Sequence, residues 1–196
     1  REKIVKFVTR GGQLPAEAFT PPGTGGYTPP KRLPKDLSRL EEAKKLMIQA
    51  GYPAGKGFPK IDILYNTSDN HKKIAEAIQQ MWKQNLGIDT GLYNQEWKVY
   101  LDTQQTKNYS ISRAGWIADY NDPNTFLDMF TSYAQTNHSG WSKPEYDRLI
   151  ELASKEVNLK KRLENFSQAE QILLDELPVI PIYVYTRIYL KSLEVL

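Results

Sequence analysis

Apolar residues recur along this chain with two alternating periods, and the switches between them mark its elements. Ile4, Val5 and Val8 fall at helical spacing ahead of Gly11-Gly12, so residues 1–10 read as the end of a helix. From 13 to 36 the pattern is lost. Pro15, Pro21-Pro22-Gly23, Gly25-Gly26, Pro29-Pro30 and Pro34 forbid a continuous helix or a central strand. A stretch of that length predicts an ordered Pro/Gly-rich arm packed over a neighbour. Ser38-Arg39-Leu40-Glu41 is a capping-box sequence, followed by the stripe Ala43, Leu46, Met47 and Ala50 and by Gly51 as C-cap.

Ile61, Ile63 and Tyr65 alternate with Asp62 and Leu64, which predicts a strand over about 60–66. Thr67-Ser68-Asp69 then caps a helix with Ile74, Ala75, Ile78, Met81, Trp82 and Leu86 on one face and Gly87 at its end. With Ile88 to Leu92 as a further strand, this is a strand-helix-strand unit, which implies parallel pairing in a layered α/β domain. Residues 95–105 read as helix, and a helix over 123–130 starts at Pro123. Ser142-Lys143-Pro144-Glu145 is a second capping-box pattern, leading a helix through Ala153. Leu159, Leu163, Phe166, Ala169, Ile172 and Leu173 predict another over 157–176, closed by Pro178 before a β-prone run from Val179 to Tyr185.

Composition narrows the classes. With 40% hydrophobic and 25% charged residues, the 196-residue chain can bury one full core. A net charge of +3 is spread along it, which argues against a dedicated nucleic-acid surface. There are no cysteines, and His71 and His138 offer no metal-ligand spacing, so no metal or cofactor is expected. No phosphate-binding glycine loop or nucleophile elbow is present. Arg1 opens straight into the pattern without a methionine or signal-like segment, so the chain is expected to be cut from a longer one.

Chemistry concentrates in Ser112-Arg113-Ala114-Gly115-Trp116-Ile117-Ala118-Asp119-Tyr120-Asn121-Asp122-Pro123. Ile111 and the small pair Ala114-Gly115 suit a tightly packed strand, and Tyr120-Asn121-Asp122-Pro123 is turn chemistry. Trp116 and Asp119 are therefore expected just past a strand end, where α/β sheets bind ligands. The competing reading of the same window makes Trp116 core, Asp119 a turn cap and Arg113 solvated or paired. Asp119 and Asp122, three residues apart on one turn, do not suit the opposed acid and base of a glycosidase. No catalytic residue is expected.

Taken in order, Leu64-Tyr65-Asn66-Thr67-Ser68-Asp69 with His71-Lys72, Asn94-Gln95-Glu96-Trp97-Lys98, and Arg113-Ala114-Gly115-Trp116 through Pro123 resemble the C-terminal lobe of bacterial oligopeptide-binding proteins. These are family 5 extracytoplasmic receptors of peptide ABC importers. Leu14-Pro15-Ala16, Thr20-Pro21-Pro22 and Pro178-Val179-Ile180-Pro181-Ile182-Tyr183 extend the resemblance nearly end to end. It implies that 1–196 is a single α/β lobe, a layered mixed sheet with flanking helices, from a two-lobed periplasmic-binding-protein type II-like fold. Residues 186–196 would cross back toward the missing N-terminal lobe.

The resemblance further implies that Asp119 pairs with the α-ammonium of an extended oligopeptide held through its main chain. Trp97 and Trp116 would be pocket walls, with Ile117, Ala118 and Tyr120 beside them, Arg113 toward the peptide C-terminus, and Tyr183 and Tyr185 presented from the last strand. Trp97 and Trp116 could equally be core. Where enteric members carry Arg-His after the Leu-Asp-Thr that matches Leu101-Asp102-Thr103, this chain has Gln104-Gln105, and neutral amides cannot stand in for a guanidinium facing a carboxylate. The implied partners are the importer's membrane subunits, in the periplasm or another extracytoplasmic space, with any lipid anchor upstream of Arg1. A dipeptide, murein-peptide or nickel-complex receptor of the same family stays open, as does a carbohydrate-binding or glycoside-hydrolysing domain.

Overall fold

The computed structural model of the protein describes residues 1–30 and 38–186. The opening apolar triplet forms a helix wound wider than the sequence suggests. Across Ile4–Thr9 the hydrogen bonds reach back five residues, and the Arg10 N–H donates to the Val5 carbonyl at 3.1 Å. The predicted arm is ordered over 13–30, while 31–36 lie outside the described residues. It contributes a two-residue strand, β1 (Leu14–Pro15), and buries Ala16, Ala18, Thr20 and Tyr27.

Helix α1 (Ser38–Gln49) leads to Gly51, whose φ of +87° suits the turn that follows; the Ser38 side chain of the predicted capping box lies outside the description. The stripe on this helix is not a core face. Leu46 is 55% exposed, while Ala43 and Met47 are only half-buried. Strand β2 (Ile61–Asn66), helix α2 (Asp69–Leu86) and strand β3 (Thr90–Gln95) form the expected parallel strand-helix-strand unit. β3 begins two residues later than the apolar run because Ile88 is buried in the turn out of α2, its N–H on the Trp82 carbonyl at 3.4 Å. Helix α3 (Trp97–Gln105) is capped by Glu96, whose side chain accepts from the Lys98 N–H at 2.9 Å, and strand β4 (Ile111–Ser112) returns to pair with β2. The sheet order is β3-β2-β4, all parallel.

The second half is helical. A short α4 (Asn124–Leu127) runs into a 3₁₀ turn over Asp128–Phe130, with Pro123 one place earlier than expected, at the cap. Next come α5 (Pro144–Lys155) and α6 (Leu159–Glu176). The predicted capping box at Ser142 is not made. Lys143 occupies the cap position, its side chain makes no capping bond, and Pro144 starts the helix. The long β-prone run after Pro178 yields only β5 (Tyr183–Val184), antiparallel to β1. Its partner is two residues long, and Pro178 and Pro181 lack the N–H that a longer ladder needs. The strands therefore divide between a parallel sheet and a separate antiparallel pair.

Two apolar clusters hold these parts. One lies between the sheet and α2, around Ile63, Tyr65 and Ala75. The other packs α4, α5, α6 and the arm around Leu127, Tyr146, Phe166, Leu173 and Tyr27. Each large side chain fully buried there contributes roughly 1.5–3 kcal/mol. Inside this apolar cluster sits Glu170, with no exposed surface. One carboxylate oxygen accepts the N–H groups of Phe19 and Thr20 at 2.9 and 2.8 Å, and the other accepts the Tyr27 hydroxyl at 2.9 Å. The arm's backbone donors, which could not pair in a regular sheet, are satisfied this way.

Burial pushes the Glu170 carboxyl above its ordinary range, only partly offset by those donors. A carboxyl with a raised folded pKa binds protons more tightly in the folded state, so its contribution to stability is present below its unfolded pKa and is lost as pH rises through the folded value. Glu170→Gln keeps one acceptor oxygen for the Phe19 and Thr20 N–H groups, turns the group facing the Tyr27 hydroxyl into a donor, and removes the charge. Its stability relative to the parent should become more favourable as pH rises from 4 to 8, by urea denaturation. Glu170→Leu should instead cost about 1–3 kcal/mol for each donor left buried and unpaired.

Candidate functional site

Because β2, β3 and β4 run parallel, their C-terminal ends share one edge, with Asn66 opposite Gln95 and Leu64 opposite Ser112. The Arg113 N–H continues the ladder onto the Leu64 carbonyl at 2.7 Å, and the Tyr100 hydroxyl donates to the Arg113 carbonyl. With both backbone groups fixed, the half-buried guanidinium reaches out, and its Nη2 donates to the Tyr185 hydroxyl. The Tyr185 ring lies against Gly115, where a Cβ would collide with it. Tyr183 meets Tyr185 edge to face, with centroids 5.3 Å apart. Trp97, at the first position of α3, stacks on Tyr100 at 5.6 Å and is 52% exposed, so it is not core. Trp97, Arg113, Tyr183 and Tyr185 are thus brought together, with buried Tyr100 as the link.

The remaining candidates form an open loop beside them. Trp116 is half-buried, while Ile117, Ala118, Asp119 and Tyr120 are exposed, Ile117 at 67%. The Asp119 N–H donates to Thr125 Oγ1 at 3.3 Å, so the residue is tied to α4 by its backbone and its carboxylate is left to the surface. Among the described residues no lysine or arginine pairs with it. Tyr120 accepts at its hydroxyl from Asn124 Nδ2 at 3.0 Å.

Asp122 is used differently. Arg162 on α6 grips both its oxygens, at 2.6 and 2.9 Å, and the Asn124 N–H donates to it at 2.9 Å. Burial raises its carboxyl, but the Arg162 bonds, the Asn124 N–H and the Arg162 charge outweigh that and hold it below the usual carboxylate range. Asn121 accepts the Gly25 N–H at 2.8 Å, so the arm also touches this loop.

The sequence pattern singles out neither Arg162 nor Tyr100. Neither carries a local signal, since their partners lie 40 and 13 residues away. Gln104, expected to mark a change at a ligand position, is buried and donates to Ser112 Oγ at 2.9 Å. His71, in the first turn of α2, is held below its ordinary range by burial and then by the Arg113 charge. Among the described residues, Asn66 Oδ1, His71 Nδ1, Gln95 Oε1 and Trp116 Nε1 are buried without a protein partner, all at the C-terminal ends of the sheet strands or just beyond. No group of three or more His, Asp or Glu there could hold a metal ion. A groove of about 450 Å³ between the arm and α6, lined by Tyr27, Leu159 and Leu163, contains none of the candidate residues. The candidate site is an open shelf, not an enclosed cavity.

A parallel sheet of an α/β domain thus carries aromatic residues, a cation and an unpaired carboxylate at its C-terminal edge, the edge where α/β sheets in general hold ligands. The chain belongs to the bacterial extracellular solute-binding proteins of family 5, whose "family 5 Middle" region matches residues 1–138. It is 43% identical over 189 residues to the periplasmic murein peptide-binding protein MppA of Escherichia coli K12, covering 95% of this chain and 35% of that protein. It is 41% identical over 197 residues to the oligopeptide-binding protein OppA of Bacillus subtilis 168, covering 98% of this chain and 36% of that protein. The crystal structure of Haemophilus influenzae OppA in complex with RPPGFSPFR superposes with a TM-score of 0.89 at 37% identity, over 94% of this chain and 37% of that one. The chain thus spans about a third of the length of the curated relatives it matches. The family and these relatives are binding proteins, and among the described residues no helix is long and apolar enough to cross a membrane.

The arm's support of the loop can be tested at two glycines. Gly23 and Gly25 both have positive φ, +85° and +56°, but only at Gly25 would a Cβ meet the loop, 3.0 Å from the Asn121 carbonyl oxygen and 3.3 Å from Asp122 Cα. Gly23→Ala should cost about 1–2 kcal/mol for conformation alone. Gly25→Ala should cost measurably more in the same urea titration, because the neighbouring atoms are backbone and cannot swing aside.

Proposed function

We propose that this chain is one lobe of a two-lobed receptor that captures short peptides outside the cytoplasmic membrane and delivers them to an ABC importer without chemical change. The observation that carries this reading is Asp119. It is an unpaired, surface-facing carboxylate on a backbone-anchored loop, between Trp116 and Tyr120, at the ligand edge of a parallel sheet. Its natural complement is a peptide's α-ammonium, and the pair strengthens when a second lobe excludes water.

The main chain of the peptide would run extended along the shelf, and Trp97, Trp116, Ile117, Ala118 and Tyr120 would border side-chain pockets. The charge of Arg113, steered by Tyr185, suits the carboxylate end. Pockets that keep water give affinity with little demand on side-chain identity. The acid-base pair that Asp119 and Asp122 would make finds no support, because Asp122 is committed to Arg162.

Native mass spectrometry of the intact receptor should reveal co-purified peptides, recovered uncleaved. A bound sugar, or peptide fragments accumulating with protein concentration, would overturn the reading. In calorimetry, Asp119→Asn should lose about 2–5 kcal/mol of peptide affinity, as expected for breaking a desolvated charge pair. N-acetylation of the peptide should produce a similar loss in the parent.

A further inference from the structure

The loop that carries Asp119 is held from the neighbouring helix α6. Arg162, on the second half's longest helix, grips Asp122 with two parallel hydrogen bonds of 2.6 and 2.9 Å. Arg162 is itself fixed: its Nε donates to the Ala153 carbonyl at 3.2 Å, and its guanidinium lies 4.8 Å from the Phe166 ring centroid. From Asp122 the order passes to α4. Asp122 accepts the Asn124 N–H at 2.9 Å, the Asn124 side chain donates to the Tyr120 hydroxyl and to Asp128 at 3.0 and 2.9 Å, and the adjacent Thr125 receives the Asp119 N–H. Every residue between Asp119 and Asp122 therefore sits between two anchored points, and the outer anchor is Arg162.

We propose that Arg162 is a positioning residue for ligand binding: through Asp122 and the first turn of α4 it sets the place of the Asp119 carboxylate without touching the ligand. The inference rests on the amine-anchor role proposed for Asp119. A planar guanidinium fixes a carboxylate in position and orientation, whereas a lysine fixes only a distance. With Arg162 replaced, Asp122 loses its only ion-pair partner among the described residues, and the loop keeps its sequence but not its set geometry.

The test is a double-mutant cycle in the intact receptor, with tetra-alanine and N-acetyl-tetra-alanine as probes and calorimetry as readout. Arg162→Met should weaken tetra-alanine binding about tenfold, within the usual range for coupled neighbours. It should change N-acetyl-tetra-alanine binding less than about twofold, a change inside the additivity error of independent sites. In an Asp119→Asn background the same substitution should have no further effect on tetra-alanine. Arg162→Lys and Asp122→Asn, which keep the packing but lose the fork, should reproduce the selective loss and carry the test if Arg162→Met does not fold. Equal losses for both probes, or a full loss persisting in the Asp119→Asn background, would reduce Arg162 to a scaffold residue and overturn the proposal, as would no loss at all. If Asp119→Asn itself leaves tetra-alanine binding intact, the amine-anchor reading fails. If Asp119→Asn is selective and Arg162→Met is not, only the positioning role fails.

Discussion

The pairing of β4 with β2 is the constraint from which the rest follows. It is short, with only Ile63 opposite Ile111 and Leu64 opposite Ser112, extended by one bond from the Arg113 N–H to the Leu64 carbonyl. In a parallel sheet the direction of every strand is shared, so this brief contact decides on which edge residues 113–122 emerge. A strand of two residues would be weak alone. Tyr100, reaching from α3 to the Arg113 carbonyl, and Gln104, bonded to Ser112, fasten it from the flanking helix.

The same segment joins the two apolar clusters. Upstream it belongs to the sheet, and downstream Phe126 and Leu127 are buried with the helical half, where Tyr146 donates to the Leu127 carbonyl at 2.5 Å. Polar side chains carry the connection across: Glu170 captures the arm, the arm's Gly25 meets Asn121, and Arg162 meets Asp122. Polar groups this sheltered are costly unless their bonds are complete. Glu170 uses both oxygens, and Asp122 has both oxygens on Arg162, so each fixes geometry that apolar contact alone would leave loose.

Much of this was legible in the residues. Period 3.6 identified α2 and α6, and the alternation at Ile61, Ile63 and Tyr65 identified β2, because burial on one face leaves a periodic trace, whereas α5 was marked by Pro144 and the polar residues around it. The turn residues at 120–123 located the loop, and the ordered motifs pointed to the family that the comparisons show. Other features leave no such trace. Glu170 occupies a core position of the α6 stripe and looks like a single polar interruption, since its donors lie about 150 residues away. The run 179–185 is β-prone apart from Pro181, yet how much of it becomes strand depends on a partner, β1, that is only two residues long. Leu46 followed helical spacing and is nonetheless exposed, because periodicity reports a face and not what covers it.

Satisfied and unsatisfied groups fall in different parts of the structure. Arg162, Asp122, Glu170, Tyr27 and Tyr100 have their main partners inside the chain. Asp119, Ile117, Tyr120 and Trp97 are left facing out. An exposed carboxylate is screened within about 8 Å at physiological ionic strength and is a weak anchor by itself. On the proposed reading, selective capture therefore depends on a second surface closing over the shelf, which raises the value of Asp119 by removing water and supplies the other main-chain partners. On the same reading, a loop already fixed at Asp122 by Arg162 and the Asn124 N–H gives up little order when it is enclosed, and the free energy of enclosing the ligand goes into affinity instead of into building the site.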